Sequence, residues 1–341
     1  MDLENFIKQI SRLVTVVSGG ALLILVYVVI IAVNPAAFNA HEVQNTAWRP
    51  RDASTDLKDT KSDRLIKYGY QLVTETSQYM GPMSKNPLVK FAGNNLSCQN
   101  CHLKAGTVQG SASFVGVTNR FPQFRGRENK MGTIEERVNG CMERSMNGIA
   151  MPVESKQMEA IVAYMEWLSE GVPEAQELAF KGFVKVELPA EKADLIKGKA
   201  TYELECKVCH GPNGQGIRPD PNEKYVYPPL WGDDTYNHGA GMHRVLTAAQ
   251  FIKANMPFEV ATWDNPKLTD EQAYHVAAYI NSFQRPQKAN PEKDFPDKTL
   301  KPVSTPYGPW EDRFSAEQHK YGPFQPIMDF YQKEFGIKKT K

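Results

Sequence analysis

Cys98-Gln-Asn-Cys101-His102 and Cys206-Lys-Val-Cys209-His210 are two copies of one pattern, C-x-x-C-H, and their reading decides the fold. Two thiols on one helical turn add to the two vinyl groups of a single porphyrin. The adjoining histidine then falls under the iron as its proximal ligand. A zinc site or a thioredoxin-type dithiol is the competing reading of each pair. Zinc needs further ligands at matched spacing, and a redox dithiol leaves the histidine unexplained both times. Two covalently bound haem c groups are therefore expected, attached through Cys98, Cys101, Cys206 and Cys209, with His102 and His210 as metal ligands.

Outward from the second copy, Leu195, Gly198 and Tyr202 recur at helical spacing before it, and Gly211, Gly214 and Gly216 follow it as turn residues. Thr269, with Gln272 three residues on, predicts the start of a late helix carrying Ala273, Val276, Ala277 and Ile280 on one face. A first helix, an attachment site, a loop with a distal ligand and a final helix look like a class I cytochrome c domain. The first copy repeats the plan, with Leu65, Gly69 and Leu72 before it and Ser155 capping a helix of Met158, Ile161, Val162 and Met165. The expectation is an all-α chain of two tandem domains, residues 63–180 and 181–285. An anchor (1–40) and a tether (41–62) precede them, and an irregular extension (286–341) follows. Tyr307, Trp310, Phe314, Tyr321 and Phe324 in that extension favour an ordered wrap over a disordered tail.

The anchor rests on Leu13 to Val33, which carries no charge. At about 1.5 Å per residue a helix of this run crosses a hydrocarbon core of roughly 30 Å. Lys8 and Arg12 lie just before it, favouring a cytoplasmic amino terminus. A cleaved signal peptide is the competitor; its apolar core is normally shorter, and here Phe38 stands two residues before Ala40. A single-pass protein of the cytoplasmic membrane is expected, with its haem domains facing the periplasm. The formal net charge of +1, from 40 basic and 39 acidic residues, gives no reason to expect nucleic acid as a partner.

For the sixth coordination positions, Met256-Pro257 offers a thioether after the second site, with His243 as its rival. His41, His238, His275 and His319 read as surface or satisfied histidines. In the first domain two residues compete. Met151-Pro152 matches Met256-Pro257 in position, whereas Cys141 is the one cysteine outside the two pairs, an oddity in an oxidising compartment. Spacing alone leaves both open. Around Cys141, Arg120, Arg125, Arg127, Arg137 and Arg144 crowd together with Lys130, diluted by four glutamates, and Ser145 adds a hydroxyl. Such a cluster is a solvated surface, a set of haem-propionate partners, or a pocket for a small dianion.

Several stretches carry a resemblance: Gly93-Asn94-Asn95-Leu96-Ser97-Cys98, His102-Leu103 with Ala105-Gly106-Thr107, and above all Glu136-Arg137-Val138-Asn139-Gly140-Cys141-Met142-Glu143-Arg144-Ser145-Met146-Asn147-Gly148. The tail segments Pro306-Tyr307-Gly308-Pro309 and Gln318-His319-Lys320-Tyr321-Gly322-Pro323-Phe324 agree. Residues 62–325 resemble the dihaem thiosulfate dehydrogenases, relatives of the sulfur-oxidising cytochrome SoxA. The resemblance implies His102 and Cys141 as ligands of the first haem and His210 and Met256 of the second, tipping the choice from Met151 to Cys141. It implies oxidation of two thiosulfates to tetrathionate, reversible in some members. Some members place a lysine directly before the distal methionine and exchange ligands on reduction. Here Asn255 stands there and Lys253 is displaced, which argues against exchange.

On this reading Cys141 is the catalytic sulfur, Arg127, Arg137, Arg144 and Ser145 bind the anion, and electrons leave for an external cytochrome c or a terminal oxidase. Three other classes remain. A plain dihaem electron carrier has no use for Cys141 or the arginines. A SoxA-like sulfur transferase needs a partner protein to turn over. A dihaem peroxidase responds to peroxide.

Overall fold

The computed structural model describes residues 2–33, 48–221 and 223–339. The region around Phe38 and Ala40 where the competing signal-peptide reading would cleave, His41 and the first part of the tether (41–47) lie outside them. The chain divides into two compact units, Met1–Arg49 and Pro50–Lys341. In the first, helix α1 (Leu3–Val33) is long and apolar enough over Leu3–Ile30 to cross a membrane, and it exposes its side chains along its described length.

The second unit begins with α2 (Lys61–Thr74) and α3 (Thr76–Met80). Thr60 caps α2, accepting from the Asp63 N–H while the Asp63 carboxylate accepts from the Thr60 N–H. A short turn of helix, α4 (Leu103–Gly106), follows the first attachment site. Next comes an antiparallel hairpin, β1 (Gln123–Arg125) and β2 (Lys130–Gly132), with Phe124 opposite Met131. Then α5 (Ile134–Met142), α6 (Lys156–Ser169) and α7 (Glu174–Phe180) complete the first half. The expected Ser155 cap forms, its hydroxyl accepting from the Met158 N–H.

In the first half, α2 packs on α6 around a core that includes Leu72, Met80, Met142, Met158, Ile161 and Tyr164. Gly69 makes that crossing possible: a Cβ there would sit 2.0 Å from the Ala160 carbonyl oxygen. The second half repeats the device. Helices α8 (Leu195–Glu205), α9 (Lys207–His210), α10 (Val245–Asn255) and α11 (Asp270–Ser282) follow in order. Here α8 crosses α11 at Gly198, where a Cβ would meet the His275 carbonyl oxygen at 2.2 Å. Thr269 and Gln272 form the expected capping box at the start of α11.

The C-terminal extension is irregular only in its first part. Ser315 caps α12 (Ala316–Tyr321), and α13 (Gln325–Phe335) follows. Phe324, Ile327 and Tyr331 are buried in the second core, each contributing about 1.5–3 kcal/mol by leaving water. The 3–4 residue spacing of these apolar positions is a helical signal that proline and charge obscure in the sequence. His319 is a satisfied histidine at this junction, with Nδ1 2.7 Å from the Val303 carbonyl and Nε2 2.9 Å from Asp312.

Two signature segments explain how the halves of this unit are joined. The Asn94 amide donates to the Ser145 and Thr235 carbonyls, both at 3.0 Å, and Asn95 holds Asp234 through its N–H at 2.8 Å. Asn237 returns a bond to the Glu143 carbonyl at 2.8 Å. Gly93 lies against the Asn147 carbonyl, where any Cβ would collide.

Candidate active site

Both attachment histidines are oriented in the same way. His102 Nδ1 lies 2.7 Å from the Ala112 carbonyl, and His210 Nδ1 lies 2.8 Å from the Pro228 carbonyl. A carbonyl accepts only, so each Nδ1 carries the proton and each Nε2 is left as a free ligand. All five cysteines are unpaired with one another. Beside the second attachment site is a cavity of about 470 Å³, lined by Cys206, Cys209, His210, Met256, Tyr236 and Phe258. Cys101 and Lys104, from the first attachment segment, line its far side. Behind the Tyr236 wall lies Arg285, 5% exposed, its guanidinium 4.4 Å from that ring. Its Nε finds no hydrogen-bond partner among the described residues, and no carboxylate there pairs with it. A buried cation of this kind requires an anion. These features fit two c-type haems, whose propionates would supply that charge.

His243 turns its Nδ1 to the His238 carbonyl at 2.9 Å and is not among the side chains lining the cavity. Met256 is. His238 and His275 are satisfied as well, His238 Nδ1 accepting from the Lys288 N–H at 2.8 Å and His275 Nδ1 from the Asp194 N–H at 3.1 Å.

Cys141 sits near the end of α5. Thr133 caps this helix with Glu136 in reciprocal bonds, fixing its start. The i, i+4 spacing then places Arg137 and Cys141 on one face, and Arg137 Nη1 donates to Cys141 Sγ at 2.8 Å. Burial alone would raise this thiol, but the Arg137 guanidinium and the facing His102 ring pull it down to about 5. In contrast, burial pushes Cys98 up to about 11 and Cys101 and Cys206 up to about 12. Met151 is a core residue whose backbone is pinned on both sides by the Asn139 amide.

Of the other expected anion-binding residues, Arg127 pairs with Asp294 and Tyr307. Arg144 is buried and loosely shared between Glu128 at 3.5 Å and Asp294 at 3.8 Å. Ser145 contributes its carbonyl to Asn94. Arg120 and Arg125 are instead neutralised by Glu177 and Glu128.

The sequence reading missed Arg244. It stands at the amino end of α10, in the second half, and no carboxylate pairs with it among the described residues. Burial, then the nearby charges of Arg127, Arg137 and Arg144, push its guanidinium down to about 9. Arg127, Arg137, Arg144 and Arg244 therefore form one cluster of like charge that reaches Cys141 through Arg137 and Arg144, with Glu128 and Asp294 as carboxylates among them. Nothing in local spacing marks Arg244, because the domain junction delivers it.

Residues 90–173 match the SoxA/TsdA cytochrome c domain, and residues 195–284 match cytochrome c. Thiosulfate dehydrogenase of Stutzerimonas stutzeri (strain A1501) is 40% identical over 232 residues, 68% of this chain and 71% of that protein. Thiosulfate dehydrogenase of Psychrobacter arcticus is 41% identical over 246 residues, 72% of this chain and 71% of that protein. Among solved structures, the as-isolated thiosulfate dehydrogenase (TsdBA) of Marichromatium purpuratum superposes with a TM-score of 0.63 at 32% identity. That match covers 71% of this chain and 50% of the other, so the chain spans half the length of that relative.

Proposed function

We propose, for a chain that belongs to the thiosulfate dehydrogenase family and is thus a dihaem c-type oxidoreductase, that it joins two thiosulfates into tetrathionate at Cys141. The observation carrying this reading is the placement of Cys141, whose Sγ accepts from Arg137 Nη1 at 2.8 Å at the edge of a guanidinium cluster that outnumbers its carboxylates. Joining two dianions requires that their repulsion be offset, and desolvated guanidiniums do this best.

Cys141 and His102 would hold the iron of the first haem, and Met256 and His210 that of the second. The bound haems supply one-electron acceptance, one electron each. The Cys141 thiolate forms a bond to the outer sulfur of the first thiosulfate, giving a Cys–S–S–SO3⁻ adduct and releasing two electrons. The second thiosulfate attacks the sulfur next to the sulfonate. That bond forms as the adduct's S–S bond to Cys141 breaks, so tetrathionate leaves and the thiolate returns. Arg137 stabilises the thiolate both as nucleophile and as leaving group, while Arg127, Arg144, Arg244 and Ser145 orient the anions. The same steps run backwards reduce tetrathionate.

The reading extends to the cell surface. Helix α1 anchors the chain in the cytoplasmic membrane with the haem domains in the periplasm, and electrons pass to an external cytochrome c or a terminal oxidase. The length of α1, well beyond the apolar core of a signal peptide, supports retention.

The test is thiosulfate-dependent reduction of an artificial acceptor by the purified protein beside Cys141→Ala. Tetrathionate formed by the native protein and not by the variant, with both haems retained, is the expected result. No turnover by fully loaded native protein sinks the dehydrogenase reading and leaves an electron carrier or a partner-dependent sulfur transferase.

A further inference from the structure

The C-terminal extension enters the cation cluster through one carboxylate. Asp294 is 6% exposed and lies far along the chain from Cys141. Its Oδ2 accepts from Arg127 Nη1 and, at 2.7 Å, from the Tyr307 hydroxyl, which itself accepts from Arg127 Nη1 at 3.0 Å. Its Oδ1 faces Lys288 Nζ at 3.6 Å and Arg144 Nη1 at 3.8 Å. The next residue seals the arrangement: the Phe295 ring lies 4.8 Å from the Arg127 guanidinium, and the Phe295 N–H donates to the Arg127 carbonyl at 2.8 Å.

Arg127 thus commits one nitrogen, Nη1, to the extension. Its Nε and Nη2 find no hydrogen-bond partner among the described residues. A guanidinium presents five N–H donors in a rigid fork, so fixing one edge aims the other. Unanchored, Arg127, Arg144 and Arg244 would repel one another and splay, and an incoming anion would have to reorder them at its own expense. We propose that Asp294 is a positioning residue for the anion substrate: by holding Arg127 and Arg144 from behind, it presents their remaining donors together with Arg244. This rests on the thiosulfate reading above. It makes the extension part of the substrate site as well as of the second core.

The experiment uses the full chain with both haems, comparing native protein, Asp294→Asn and Asp294→Glu by steady-state kinetics and by calorimetric binding of thiosulfate. Asparagine keeps the size and one acceptor and removes the charge. The KM and Kd for thiosulfate are expected to rise about tenfold or more in Asp294→Asn, the scale of a lost charged hydrogen bond. The kcat should change less than about threefold, and glutamate should recover most of the loss. KM and Kd unchanged or lowered overturn the proposal. So does a variant that loses heat stability or haem while its surviving holoprotein keeps the native KM. If Asp294→Asn does not fold, Tyr307→Phe weakens the same anchor and should raise KM about threefold; an unchanged KM overturns the proposal. Native protein that binds thiosulfate without turnover sinks the dehydrogenase reading, and the Kd comparison still decides Asp294. No binding of thiosulfate sinks both.

Discussion

In the first haem domain α2 crosses α6 at Gly69, and in the second α8 crosses α11 at Gly198, each glycine pressed on a backbone carbonyl of its partner. The attachment histidines match as well, each held through Nδ1 by a carbonyl. The opposite sides do not match. Facing His102 stands Cys141 with Arg137 upon it. Facing the His210 side stands Met256, in a cavity walled by Leu230, Phe251, Ile252 and Ile280. One scaffold therefore carries two chemistries, separated by the Arg137–Cys141 pair within the first domain and by charge supplied to that site from outside it. Arg244 reaches the first site from the second domain, and Asp294 reaches it from the extension.

The sharpest way to break this contrast is to give the first site the second site's ligand. Cys141→Met keeps a sulfur and removes the nucleophile, so turnover with thiosulfate should fall by about a thousandfold or more, on the scale of losing a covalent catalyst. Both haems should remain attached, as checked by pyridine haemochrome content. Substantial turnover in this variant would show that Cys141 only ligates.

The next effect comes from the borrowed charge. Arg244→Gln should lower kcat/KM for thiosulfate roughly thirtyfold, the scale of one desolvated charged donor. The potential of the second haem should stay near its native value, read by spectroelectrochemistry. A loss confined to that potential would move Arg244 from the anion site to the second haem.

A smaller effect concerns constancy. Asn255, just before Met256, is buried and donates to the Gly110 carbonyl at 3.1 Å, while Lys253 is tied to Asp270 at 2.8 Å. Lys253, the lysine nearest Met256 in sequence, is thus committed elsewhere, so resonance Raman spectra should report a single distal ligand for the second haem in both oxidation states. A nitrogen ligand appearing in either state would show that Asn255 does not hold this loop.

Much of this was legible in the sequence, for a physical reason. Haem attachment and helix capping are local, so the C-x-x-C-H copies, Ser155 and Thr269 announce themselves within a few residues. The Arg137–Cys141 pair is an i, i+4 neighbour and equally local. Arg244, Asp294 and Tyr307 meet the site only through tertiary packing, and no spacing rule relates them to Cys141. The two C-terminal helices were hidden because Pro323, Pro326 and a run of charges interrupt their apolar face. The β1–β2 hairpin is three residues per strand, too short for alternation to stand out.

The smallest effect tests the rejected ligand of the second domain. His243 is buried beside Arg285 and Lys320, and burial, then the Arg285 charge, push its imidazole down to about 3 from an ordinary 6.5. The fold therefore favours the neutral ring. This contribution is fully present above pH 6.5 and is lost as pH falls toward 3, because the unfolded chain takes up the proton that the folded chain refuses. At pH 6 the loss is about 1 kcal/mol, and it grows by about 1.4 kcal/mol for each further pH unit. Denaturant unfolding of native protein and His243→Gln between pH 5 and 8 measures it: the variant should be less sensitive to acid while the second haem keeps its spectrum. A changed haem spectrum in that variant, with an unaltered acid slope, would return His243 to the iron and take Met256 from it.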